Sequence, residues 1–118
     1  MDIKQLQYDL EAFAEARDWN KYHTPKNLAI ALSVEASELL EIFQWLTDDE
    51  SRGITNSEQD MRLITEELAD IQIYLLRLSD KLKVDLEAAV KAKVVKNSKK
   101  YPVELAKGNA TKYNRRGK

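Results

Sequence analysis

Two acidic pairs, Glu35-x-x-Glu38 and Glu67-x-x-Asp70, lie inside strongly helical stretches and restrict the fold more than any other feature of the chain. An i,i+3 spacing sets two helical side chains about 60° apart around the axis and ~4.5 Å apart along it, so each pair points one way. Glu35 falls inside the apolar stripe made by Leu28, Leu32, Leu39 and Ile42. An unpaired carboxylate there costs several kcal/mol, so something positive must meet it. Four acidic groups facing one another across two helices bind a hard divalent cation. Oxygen donors of this kind suit Mg²⁺ and leave coordination positions for water or phosphate oxygens. The competing reading is an ordinary solvated charged face, which the spacing alone favours. The place of Glu35 in the apolar stripe favours the cation.

Helical periodicity runs through most of the remaining chain and predicts an all-α fold with four helices. The first follows Asp2 as N-cap and carries Ile3, Leu6, Leu10, Phe13 and Ala14 on one face, ending near Arg17. Thr24-Pro25 opens the second, with Thr as cap and Pro at the first helical position, and it reaches about Trp45. Thr47 to Asn56 reads as a loop. Ser57-x-x-Asp60 resembles a capping box for the third helix, which extends to about Leu82. Asp85 caps a fourth from Leu86 to about Lys99, stopped by Pro102. The third helix is apolar on two sides: Met61, Ile64, Leu68, Ile71 and Leu75 form one stripe, and Ile73 and Leu76 lie on another. A monomeric bundle needs one stripe per helix, so this pattern predicts a homo-oligomer, a dimer or a tetramer.

Residues 1–102 read as one helical domain. Residues 103–118 read as a basic tail, with Lys107, Lys112, Arg115, Arg116 and Lys118 against Glu104. A net charge of −1 gives no reason to expect a nucleic-acid partner. No apolar run is long enough for a membrane span, and the N-terminus lacks the apolar core of a signal peptide. The chain has no Cys, which removes thiolate sites and fits a reducing cytoplasm. A di-iron carboxylate bundle needs Glu-x-x-His pairs, and His23, the one histidine, lies outside both acidic helices. No glycine-rich phosphate loop is present.

Two further groups carry chemistry. Trp19, His23 and Trp45, with Tyr22 nearby, fit either core packing or a slot in which a planar base stacks. Lys93, Asn97, Lys100 and Tyr101 close the fourth helix. They fit either a basic helix terminus favourable to the macrodipole or a cationic wall for phosphates.

Several runs resemble the MazG-like nucleotide pyrophosphohydrolases. They are Arg17-Asp18-Trp19-Asn20, His23-x-Pro25-Lys26-Asn27-Leu28, Glu35-Ala36-Ser37-Glu38 through Phe43-Gln44-Trp45, Glu66-Glu67-Leu68-Ala69-Asp70-Ile71 and Lys99-Lys100-Tyr101-Pro102. The likeness extends from residue 1 to about 113 and is strongest to the small branch acting on dCTP and related nucleotides. It implies an oligomeric all-α bundle that converts a nucleoside triphosphate to the monophosphate and pyrophosphate with Mg²⁺. By the same resemblance Glu35, Glu38, Glu67 and Asp70 ligate the metal. Trp19, His23 and Trp45 hold the base, and Asn97, Lys100 and Tyr101 lie near sugar or phosphates, with Lys100 on the leaving pyrophosphate. Glu38 or Glu41 is the expected base that activates water. The rival expectation is a non-catalytic helical interaction module whose acidic face meets a basic protein.

Overall fold

The computed structural model of the chain describes residues 1–108, and all regular structure among them is helical. Residues Met1–Val84 form one compact unit and Asp85 begins a second. In the first unit α1 (Ile3–Ala16), α2 (Pro25–Phe43), α3 (Asp48–Arg52), a single 3₁₀ turn (Ile54–Asn56) and α4 (Glu58–Lys81) follow one another. The second contains α5 (Leu86–Lys100) and a one-turn α6 (Val103–Ala106).

The long helices start where the sequence places caps. Asp2, Thr24, Ser57 and Asp85 each accept a hydrogen bond from the backbone N–H three residues on, satisfying a donor that the helix leaves bare. Thr47 to Asn56 departs from the loop expectation. Thr47 and Glu50 form a reciprocal capping box that supports the five residues of α3, and the 3₁₀ turn follows directly. An element that short has no apolar period to reveal it. The predicted tail also begins with structure, since α6 starts immediately after Pro102. The remainder of that tail, residues 109–118, lies outside the described residues.

Two helix ends carry the chain round corners that position the site. At the end of α1, Trp19 N–H donates to Ala14 O at 2.9 Å and Asp18 N–H to Glu15 O at 3.1 Å, with Asp18 at φ 55°. This is a Schellman closure with a non-glycine residue in the left-handed position. It turns Trp19 back onto Phe13, edge to face at 5.6 Å. The end of α4 repeats the device, with Val84 N–H on Ser79 O and Lys83 at φ 59°.

Helix α4 is the centre of the first unit, packing against α2 on one side and α1 on another. The second apolar side of that helix is therefore partly explained within one chain. Leu76 is buried, and Gln7 of α1 donates through its amide to the Leu76 carbonyl at 3.0 Å. Two-sidedness of α4 alone does not require a second subunit. Even so, among the described residues the fully buried apolar side chains are only Ala14, Leu28, Ile64 and Leu76. Ile30, Val34, Leu40, Leu63 and Leu68 remain half exposed.

Candidate active site

Glu35, half-buried, and Glu38, exposed, stand near the middle of α2, and half-buried Glu67 meets them from α4. One carboxylate oxygen from each of the three lies within 4.8 Å of the others. Glu35 Oε2 and Glu67 Oε2 are buried and have no hydrogen-bond partner. Such orphaned acceptors are rare in folded proteins and cost about 1–3 kcal/mol each. The carboxyl groups respond as crowded like charges do. Glu35 is pushed above the usual carboxylate range, first by Glu67, with which it would share a proton, then by burial and the charge of Asp70. Glu38 is raised chiefly by Glu35. The donors are all carboxylate oxygens, they converge, and two of them are buried without a partner, so the set fits a hard divalent cation. Asp70 is outside the tight trio, one turn further along α4 than Glu67. Glu41 and Glu66 are exposed.

Next to the acidic group a cavity of about 210 Å³ opens between α1, the Trp19–His23 corner and α4. Phe13, Trp19, His23, Tyr74 and Arg77 line it together with Asp70, so the cavity and the acidic cluster adjoin at Asp70. Tyr74 is raised above the usual phenol range by burial and then by the charges of Glu35 and Asp70, which keeps its hydroxyl protonated. Trp19 and His23 are tilted against each other with ring centroids 6.2 Å apart.

The far wall is a polar network. The Arg77 guanidinium, 2% exposed, donates to Glu11, to Asn20 Oδ1 at 2.8 Å and to His23 Nδ1 at 3.0 Å. Lys81 donates to the same Asn20 oxygen at 3.0 Å. The Asn20 amide nitrogen donates to Glu11 and Glu15, both at 2.9 Å. Charge-assisted bonds from Arg77, with Asn20 and Lys81, hold the Glu11 carboxyl below its usual range.

The structure thus brings Glu35, Glu38 and Glu67 together, with Asp70 near enough for its charge to act on Glu35, and it places Trp19 and His23 on a cavity that Asp70 also lines. It does not unite the two indoles. Nineteen residues of α2 separate them, roughly 28 Å of helix at 1.5 Å per residue. Trp45 is 86% exposed beyond the end of that helix, so a slot walled by both Trp residues of one chain is excluded by distance. Asn97, Lys100 and Tyr101 belong to the second unit, at the end of α5. Arg77, Tyr74, Glu11 and Asn20 are functional candidates that periodicity did not single out. Arg77 carries the same signal as Glu35, a charge on an apolar helix side beside Ile73 and Leu76.

Comparison with known proteins is consistent with this geometry. The model of the MazG-like family matches residues 30–115. Over 112 residues, 95% of the chain, it is 43% identical to a bovine protein named dCTP pyrophosphatase 1. It is 41% identical to the human protein of that name over the same share. The chain spans 64% of the length of these curated relatives. Among solved structures, the crystal structure of a pyrophosphatase from Archaeoglobus fulgidus superposes with a TM-score of 0.79 at 44% identity. That alignment covers 86% of this chain and 94% of the other. The chain belongs to the MazG-like family.

Proposed function

We propose that the chain is a Mg²⁺-dependent nucleoside triphosphate pyrophosphohydrolase acting on dCTP or a related nucleotide, releasing the monophosphate and pyrophosphate. The observation that carries this reading is the pair of buried carboxylate oxygens, on Glu35 and Glu67, left without partners directly beside a ring-lined cavity. A nucleoside triphosphate is a ligand that needs both features at once, a cation for its phosphates and an aromatic slot for its base. The names of the curated relatives support the choice of dCTP.

Glu35, Glu38, Glu67 and Asp70 would hold the ion, since oxygen donors of this charge and closeness are what Mg²⁺ accepts. When bound it neutralises triphosphate charge and polarises the phosphoryl group under attack. The base enters the cavity against Trp19, where stacking gives about 1–3 kcal/mol per aromatic face, with His23 at its edge. Water attacks the α-phosphorus in line, the bond to the α–β bridging oxygen breaks, and a carboxylate takes the water's proton. Glu38 is better placed for that role than Glu41, because it belongs to the converging trio and Glu41 does not. Asn97, Lys100 and Tyr101 are assigned to sugar and outer phosphates, with Lys100 stabilising the leaving pyrophosphate.

A homodimer or homotetramer completes the reading. A first unit with four fully buried apolar side chains and a half-exposed set on α2 and α4 gains stability from a second copy. Trp45 then serves the base slot of a neighbouring copy. Among the described residues no helix is long and apolar enough to cross a membrane, and the absence of Cys fits a cytoplasmic setting. Pyrophosphate release from each of the four deoxynucleoside triphosphates, with and without Mg²⁺, tests the proposal. Mg²⁺-dependent release favouring dCTP is expected. Absence of release from all four would overturn it.

A further inference from the structure

His23 meets Arg77 through Nδ1, and that contact has a consequence for the cavity. Arginine offers only donors, so the histidine nitrogen it touches must accept. The surrounding network admits one arrangement. Asn20 turns its oxygen to Arg77 and Lys81 and its nitrogen to Glu11 and Glu15; reversing the amide would set N–H groups against cations. Turning the imidazole over would set a C–H against the guanidinium. With Nδ1 occupied as an acceptor, the proton of the neutral ring sits on Nε2.

We propose that Arg77 is a positioning residue for base recognition, fixing His23 as the Nε2–H tautomer so that the histidine offers the cavity a donor and never an acceptor. Arg77 itself lines the cavity, and its Nε–H is buried and unpartnered. The matching ligand edge is a carbonyl oxygen or an unprotonated ring nitrogen, which cytosine supplies with its 2-oxo group and neighbouring N3, whereas N3 of thymine carries a proton. This inference rests on the nucleotide reading of the same site and adds the chemistry of selection. The neutral ring is consistent with its surroundings: burial lowers the affinity of His23 for a second proton, as do the charges of Arg77 and Lys81, against Glu11. Asp70 also lines the cavity.

His23 is the only histidine, so histidine-labelled full-length protein gives a single ring to observe. A two-bond ¹H–¹⁵N correlation at neutral pH should show protonated Nε2 and unprotonated Nδ1. An Nδ1–H tautomer, or averaged nitrogens, would overturn the assignment whether or not the protein hydrolyses nucleotides. The donor's use is tested by KM for dCTP. His23→Leu should raise it about tenfold, the worth of one lost hydrogen bond, and His23→Gln, which keeps a donor, should recover most of that. Equal KM values for the two variants would overturn the recognition role. Arg77→Lys, if it folds, should loosen the tautomer to a mixture; an unchanged spectrum would show that Arg77 is not what fixes it.

Discussion

Helix α4 carries buried charge at two places, and they are built in opposite ways. At Glu67 the acidic residues face other acidic residues, and two of their buried oxygens have no partner. Three turns further on, Arg77 is among the most deeply buried of the described residues, yet it bonds Glu11, Asn20 and His23. The same physics governs both, since a charge withdrawn from water must be met by something. In the second region the chain supplies the counter-charge itself, and the result is a rigid wall. In the first it does not, which marks the cluster as a place for a ligand. Charge burial alone is thus a poor indicator of function; whether the charge is paired within the chain is the informative part.

The comparison makes removal of charge act with opposite sign in the two regions. The largest effect is expected on turnover. Glu38→Gln or Asp70→Asn should lower kcat for pyrophosphate release by at least about a hundredfold, since even outer partners of a metal site are worth 10–100-fold. Circular dichroism should show the fold intact. Near wild-type turnover at saturating Mg²⁺ would place the site elsewhere.

Stability should separate the regions next. Glu11→Gln leaves the Arg77 cation buried without its carboxylate and should cost about 3 kcal/mol in denaturant unfolding, the lower end for a broken buried pair because Glu11 is partly exposed. In metal-free protein, Glu35→Gln should instead stabilise by about 1 kcal/mol, because it relieves repulsion at Glu67. Destabilisation by both variants would erase the distinction.

The pH dependence follows from the directions of the shifts. Glu35 and Glu38 bind protons more readily folded than unfolded. Their contribution to stability is present below the unfolded pKa and lost as pH rises through the raised folded values. Mg²⁺ replaces those protons, so the rise in Tm it produces should be greater at pH 7 than at pH 5. The smallest effect is a control outside both regions. Lys83→Gly removes a side chain from a left-handed helix end and should stabilise by roughly 0.5–1 kcal/mol without changing activity.

Much of the first region was legible in the sequence, because Glu35 interrupts an apolar stripe and i,i+3 spacing survives folding as a shared direction. The second was less so. Glu11, Asn20, His23 and Arg77 come from three elements and converge only when α1 lies on α4, which no local pattern encodes. Of the four only His23 is a candidate from the sequence; Arg77 carries a signal there, as a charge on an apolar side, that periodicity does not single out. The capped turn at Thr47–Arg52 was hidden by its length, although Thr47-x-x-Glu50 is a capping box in the sequence. The two indoles teach a different lesson. A slot shared by Trp19 and Trp45 needs them close, but they flank α2 and the rise of that helix holds them apart.

The unpartnered oxygens of Glu35 and Glu67 are the proposed seat of a divalent cation. The most direct test is thermal unfolding of the full chain as Mg²⁺ is added without nucleotide, beside the Glu67→Gln variant. Binding to the folded state alone raises Tm by mass action. A saturable rise in the wild type that is lost in the variant is the expected result. No rise in the wild type, or an equal rise in both, would contradict the claim.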